Sequence, residues 1–276
     1  MDLLLILDCN YLCHRSKHVF GSLSDQGSAT GVVYGFLTAL ITLQSKFNTN
    51  RFVFAWDSQT LKRKEAYPKY KENRNAKEMT KEELEFEREF RRQMSSLQNE
   101  YLHTIGFRNI FSQEGYESDD IIASVCMNLP KEQEAIIVSA DEDLFQCITD
   151  HISCYNPRTA KLMYKNLFEK TYGIQPDQWY LVKAIGGCKS DNIEGITSIG
   201  QKTALRYLTA TLNPTSKSYM AIVLNESIIL RNKDLVQLPY PGVKTFKLQK
   251  DNISQEGWNA VTKKLGMKSI RYCAPL

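Results

Sequence analysis

Short, unbroken apolar runs recur along the chain: Leu3 to Leu7, Phe52 to Trp56 and Ala135 to Val138, each rich in branched or aromatic residues and each followed by polar positions. Runs of that length and make-up predict buried strands. Between them the apolar spacing is helical over Val32 to Leu43, Glu82 to Leu102 and Ile121 to Leu129, the last stopped by Pro130. Strands alternating with helices predict an α/β fold with a mostly parallel central sheet flanked by helices. After about residue 165 the strand pattern fades. Pro176-Asp177 opens a helical segment to Ala184, and Gly200 to Leu212 follows a glycine-marked turn. The expected organisation is therefore a core over residues 1–164 and a helical lobe over 165–276, with no clear period near Pro239, Pro241 and Gly242.

Charge changes the picture in one place. The net charge of the 276 residues is only +4, from 35 Lys and Arg against 31 Asp and Glu, so affinity for a polyanion must rest on how charge is distributed. Lys62 to Arg92 is dense in both signs and poor in apolar anchors. It reads either as a solvated helix with i,i+4 pairs or as a basic-mouthed arch over a site. Seven cysteines without a C-x-x-C pair fit reduced thiols in a cytoplasmic protein. The N-terminus lacks a basic region and no apolar run approaches the ~18 residues of a membrane span, so neither secretion nor membrane insertion is expected. Cys9, Cys13, His14 and His18 suggest zinc, but Cys13 and His14 are adjacent and leave no loop to wrap an ion.

The chemistry lies in the acids. Asp8 follows the first apolar run, Asp57 the second, and Asp141 and Asp143 the third; Glu117, Asp119 and Asp120 head the helix that starts near Ile121. Ligands of open α/β sheets bind outside the carboxyl ends of the strands, so these acids are expected to converge. One or two acids suit a helix N-terminus, but a cluster raises its own pKa values unless cations lie between the carboxylates. All-oxygen donors suit Mg²⁺ or Mn²⁺, and two such ions about 4 Å apart serve phosphodiester hydrolysis. Any single Asp after a strand is more often a turn former; the joint pattern carries the reading.

Further on, Gly195-Ile196-Thr197-Ser198-Ile199-Gly200 with Lys202 at the next helix start reads as a turn whose amides and lysine meet a phosphate. With Asp8 in LILDCN, Arg15, Asp57 in FAWDS, YPKYKENR at 67–74, EGYESDD at 114–120, SADEDLFQ at 139–146 and SDNIEGITSIGQKTA at 190–204, the chain resembles the 5′ nuclease (flap endonuclease, 5′→3′ exonuclease) family, in particular its phage and bacterial branch. The resemblance implies a PIN-like core with a helical arch over about 62–103 and a helix-hairpin-helix-like element over about 185–212. It implies that Asp8, Asp57, Glu117, Asp119, Asp120, Asp141, Asp143 and Asp191 bind or support two Mg²⁺ ions, replaceable by Mn²⁺. It further makes Lys71 and Arg74 catalytic residues at the arch foot, Arg15, Arg63, Gly195, Gly200 and Lys202 contacts to DNA, and Tyr70 a base-stacking platform, with K⁺ at the glycine turn. The implied activity is hydrolysis near 5′ flaps or single-strand to duplex junctions by a monomer, for removal of flaps or RNA/DNA primers in replication, in the host cytoplasm if the chain is phage-encoded. Rival readings are a non-catalytic branched-DNA-binding paralogue and a PIN-like ribonuclease. One position departs from the pattern Gly-Asp-x-x-Asp-Asn: Cys188 stands where the first Asp is expected, which implies weaker Mg²⁺ binding at the second site.

Overall fold

The computed structural model describes residues 3–25, 27–58, 60–75 and 79–270, the side chains of Arg74 and Asn75 excepted. In chain order its elements are β1 (Leu4–Asp8), α1 (Cys9–Phe20), β2 (Ser24–Asp25), β3 (Ser28–Ala29), α2 (Gly31–Phe47), β4 (Arg51–Ala55), α3 (Lys62–Ala66), α4 (Lys81–Ser96), α5 (Leu102–Ile105), β5 (Ile110–Phe111), α6 (Ser118–Met127), β6 (Ala135–Val138), β7 (Ile152–Asn156) and β8 (Lys161–Met163). Then come α7 (Lys165–Tyr172), α8 (Trp179–Gly186), α9 (Gln201–Leu208), α10 (Lys217–Leu224), α11 (Glu226–Val236) and α12 (Gln255–Lys264). The main sheet runs β5-β4-β1-β6-β7-β8. Its first five strands are parallel and β8 is antiparallel to β7.

Strand alternation divides the core in two. On β1, Leu4 and Ile6 point to one face and Leu5 and Leu7 to the other, all nearly or fully buried, as the two-residue period requires. Leu5, Leu7, Phe52 and Phe54 meet α1, α2, α5 and α12 through Leu12, Phe36, Leu37, Ile105 and Trp258. Ile6, Val53 and Ile137 meet α6 and, beyond it, Phe168, Trp179, Val182, Ile185 and Ala204 from α7 to α9. The helices after residue 165 thus share a core with the sheet, and α8 and α11 add a small separate cluster of Ala184, Cys188, Ile193, Leu235 and Val236 with Tyr70. After α11 the chain returns along the first face, where Trp258, Val261, Met267 and Ile270 are buried with α1 and α2. The expected lobe over 165–276 is revised accordingly: its last part belongs to the core.

The three central strands stand where the apolar runs place them, within one residue. The helix expected over Glu82 to Leu102 is split: α4 begins at a capping box between Thr80 and Glu83, and a π-helical turn over Leu97–Tyr101 leads into α5. The helix expected to Leu212 stops at Leu208, where the N–H groups of Thr211 and Leu212 fold back onto the Arg206 carbonyl. Within the charged stretch α4 packs onto the core: Phe90 and Gln93 of α4 are buried, and Gln93 Oε1 accepts from Val32 N at 3.0 Å at the start of α2. Lys17 of α1 pairs with Glu87 and lies 4.5 Å from the Phe90 ring centroid.

Candidate metal centre

Parallel register sets the site. Asp8 is the last residue of β1 and lies opposite Ala55 of β4, so Asp8 and Asp57 leave the sheet at the same edge as Asp141, which follows β6. Asp8 caps α1 by accepting from Tyr11 N at 3.0 Å, and its other oxygen accepts from Ser139 Oγ at 2.7 Å. Ser118, the first residue of α6, links two acids: its N–H donates to Asp57 Oδ1 at 2.7 Å and its hydroxyl to Asp8 Oδ1 at 3.3 Å. Asp141 caps the 3₁₀ turn Glu142–Cys147 by accepting from Asp143 N at 2.8 Å.

Crowding shows in the electrostatics. Burial, with Asp57 and Asp141 nearby, raises Asp8 from the usual 3.8 to about 7. Burial and then Asp141 and Asp8 hold Asp119 well above the ordinary range. Loss of hydration also raises Asp57, although its side chain opens to solvent. Burial and the neighbouring Asp141 raise Asp143 to about 6 against the opposing pull of Lys183. These are hard oxygen donors that repel one another, a set that fits a divalent cation.

The sign of the pH dependence follows. Asp8 holds a proton in the folded chain between about pH 4 and 7 that it loses on unfolding, so it makes metal-free stability fall as pH rises through that window. Metal must displace those protons. Mn²⁺ is therefore expected to raise the melting temperature more at pH 8 than at pH 5, read by calorimetry; equal shifts at both pH values contradict the metal assignment.

Not every acid of the Gly115–Ala123 stretch faces this crevice. Asp120 is fully buried and takes a bidentate pair from Arg63, Nη1 to Oδ2 at 2.6 Å and Nη2 to Oδ1 at 2.8 Å, while Tyr240 N also donates to Oδ1 at 2.8 Å. Its expected place among the metal ligands is corrected: both oxygens hold protein together. Arg63, expected on DNA, is 4% exposed, with Nε on the Leu235 carbonyl and its guanidinium 4.7 Å from the Tyr240 ring. Tyr70, expected to stack on a base, is 3% exposed and donates its hydroxyl to Glu117 Oε2 at 2.7 Å. A buried ring has no free face for a base. Glu117 also receives Arg63 Nη1 at 3.2 Å and Lys71, and the two cations overcome burial to hold its carboxyl below the usual range.

Lys71 joins the arch foot to the remaining acids. It adopts φ +54° in a turn whose N–H donates to the Asp191 carbonyl at 2.8 Å, and its ammonium lies 3.5 Å from Asp191 Oδ1. Asn73 Nδ2 to the Lys189 carbonyl and Asn192 Nδ2 to the Lys69 carbonyl complete the seam between residues 69–73 and 189–192. The Arg74 side chain lies outside the described residues. Arg15 is exposed on α1, within electrostatic reach of Tyr11. Cys9 and Cys13 face the core while His14 and His18 are exposed, so the zinc pattern does not converge.

Among the described residues, only Asp143, Cys188 and Asp191 form a trio with ligand atoms all within 4.8 Å of one another. Cys188 Sγ lies 3.0 Å from Ser190 Oγ and donates to Asp191 Oδ2 at 3.5 Å; burial and Asp191 raise its thiol to about 11. Sequence reasoning missed Lys183, whose ammonium stands 2.7 Å from Asp143 Oδ1. The signal was available: a single charge in the otherwise apolar WYLVKAIG of α8 must find an acid when the helix is buried.

At the glycine turn, Gly200 and Lys202 are exposed at the start of α9. Gly195 is required for packing: a Cβ there would stand 2.3 Å from Gly186 C and 2.4 Å from Gly187 N, whereas one at Gly200 meets nothing within 4 Å. Gly195→Ala is expected to destabilise by about 1–3 kcal/mol or more, and Gly200→Ala by under about 1, in urea unfolding. Equal costs would contradict that packing account.

An acidic centre at the carboxyl edge of a parallel sheet, with a charged helical strap stapled to its rim, defines the class: an α/β protein of the nuclease type. Residues 3–173 match the family model of the 5′-3′ exonuclease N-terminal, resolvase-like domain, and the chain belongs to that family. It is 30% identical over 233 residues to a 5′-3′ exonuclease of Buchnera aphidicola subsp. Schizaphis graminum, covering 83% of this chain and 77% of that one. It is 33% identical over 207 residues to the thermostable DNA polymerase I of Thermus aquaticus, covering 74% of this chain but only 23% of the polymerase. The fold is shared with a variant of the bacteriophage T5 flap endonuclease solved with DNA and metal ions, at a TM-score of 0.73 and 21% identity over 95% of this chain and 94% of that one.

Proposed function

We propose that the protein is a structure-specific 5′ nuclease that hydrolyses phosphodiesters near 5′ flaps or single-strand to duplex junctions. The observation that supports this most is the convergence of Asp8, Asp57, Asp119 and Asp141, where burial and neighbouring acids raise the pKa values of Asp8, Asp57 and Asp119, beside Lys71 at the foot of the arch. Asp8, Asp57, Asp119 and Asp141 are the residues that would hold a Mg²⁺ or Mn²⁺ ion. An ion held by these residues would supply a lowered pKa for the attacking water and positive charge at the phosphate. Ser118 and Ser139 fix the rotamers of Asp57 and Asp8 through the hydrogen bonds above.

Glu117 orients Lys71, whose charge opposes part of the rise that burial and neighbouring acids impose on Asp57 and Asp119. In this reading Lys71 offers positive charge to the phosphate being cut, and Arg74 and Arg15 add phosphate contacts. The exposed start of α9, with Gly200 and Lys202, takes duplex backbone, and a K⁺ ion at the turn 195–200 belongs to the same reading. The named activities of the bacterial relatives support removal of flaps or primers in replication. The six described cysteines are free, which fits a reducing compartment, and no described helix is long and apolar enough to cross a membrane.

The test is a 5′-labelled flap duplex incubated with protein and Mg²⁺, Mn²⁺ or chelator. Short labelled products with either ion and none with chelator are expected. Tight flap binding without products under any condition would instead favour a non-catalytic branched-DNA-binding protein, and cleavage confined to single-stranded RNA would favour a ribonuclease.

A further inference from the structure

Between α1 and α2, apart from the acids of the metal centre, a cavity of about 230 Å³ opens against Tyr155 and Pro157 at the end of β7. Leu12, Val19, Ala39 and Leu43 line it, and Val19 is 63% exposed, a large apolar group left at the surface. Ser16, Thr38 and Thr42 line it too, but each donates its hydroxyl to the carbonyl one turn back on its own helix, so these side chains have no proton left to offer. Two of the lining residues are charged, Arg15 and Lys46, and both are cations. Neither α1 nor α2 contains an acid, and the remaining cation of α1, Lys17, is taken by Glu87. Among the described residues Arg15 and Lys46 have no ion-pair partner, and the Lys46 ammonium lies 5.2 Å from the Tyr155 ring centroid.

An apolar chamber with two uncompensated cations on its walls fits a ligand that is apolar at one point and anionic beside it. At about 230 Å³ it holds one large side chain and falls short of the roughly 300–1,000 Å³ usual for small-molecule sites. A nucleobase would bring several polar edge atoms against walls that leave them short of partners; a phenylalanine or leucine side chain brings none. We propose that the cavity docks an acidic peptide segment of a partner protein, with one bulky apolar side chain inside and the carboxylates beside it on Lys46 and Arg15. The inference goes beyond the nuclease reading and does not depend on it. Arg15 is offered to phosphate in that reading as well, so Ala39 and Lys46 are the positions that separate the two roles.

The test titrates the full chain, in chelator, against fluorescein-labelled Gly-Asp-Asp-X-Asp-Asp-Gly with phenylalanine, leucine or alanine at X, read by fluorescence anisotropy. The phenylalanine or the leucine peptide is expected to bind with a dissociation constant on the order of 10–100 µM, and the alanine peptide at least about tenfold more weakly. Ala39→Leu fills the cavity with a good helix former, and Lys46→Glu reverses an exposed charge. Each is expected to weaken the tighter peptide at least about tenfold, with the melting temperature and the binding of a labelled oligothymidylate near wild type. Equal affinity of wild type for the three peptides, or no binding, overturns the proposal whether or not the variants fold. Peptide affinity that survives both substitutions in folded protein overturns it as well. Loss of oligothymidylate binding in Ala39→Leu, with the peptides unaffected, would make the cavity a nucleic-acid pocket instead.

Discussion

Asp8→Asn is expected to lower single-turnover cleavage of a 5′-flap duplex by on the order of 10³-fold, ~4 kcal/mol, while raising the melting temperature of the metal-free protein at pH 8. The two effects have one cause. Asp8 is buried among Asp57, Asp119 and Asp141, and its ionised form is disfavoured by burial and by those neighbours. An amide removes that repulsion while keeping the shape, the cap to Tyr11 N and a partner for Ser139 Oγ, since Asn caps a helix as well as Asp does. It also removes an anionic donor from the metal set. Affinity for flap DNA should stay within a few-fold of wild type. A purely structural acid gives the opposite pattern, lower stability with activity retained at low temperature. Cleavage within tenfold of wild type, or a lower melting temperature in chelator, would remove Asp8 from the metal set. Asp119→Asn should behave in the same way.

What the sequence disclosed follows from where information about burial is stored. β1, β4 and β6 are central strands covered on both faces, so they read as continuous apolar runs, and their acidic ends follow from parallel register alone. β7 carries Ser153 and Asn156 and lies one strand from the edge, where its pattern is not distinguishable from a loop; β5 has two residues and has no period to read. The carboxylates of the centre were legible because each stands at a strand or helix end. Their partners were not. In KRKEA of α3, nothing local separates the buried Arg63 from the lysines on either side; its burial is imposed by Asp120, 57 positions away, and by the Leu235 carbonyl. The same long-range pairing turned Asp120 and Tyr70 from expected ligand and base contact into supports.

Arg63→Met is expected to cost about 3–5 kcal/mol of folding stability, the usual consequence of leaving a buried charge without its partner. Methionine replaces the stem but none of the donors. Asp120, fully buried, loses both of its guanidinium hydrogen bonds; Glu117 loses one; and the Leu235 carbonyl loses Nε. Asp120 then keeps only backbone donors from Tyr240 and Glu117, too few to satisfy a buried carboxylate. Adding Asp120→Asn to Arg63→Met should recover part of the loss at pH 8, since the amide oxygen still accepts from Tyr240 N and no unpaired charge remains. Urea unfolding of wild type, both single variants and the double variant separates this from a DNA-contact role. A phosphate contact predicts unchanged stability and weaker flap binding with a shallower salt dependence. Stability within 1 kcal/mol of wild type would return Arg63 to the DNA-facing surface and leave the position of α6 to be explained by its apolar contacts alone.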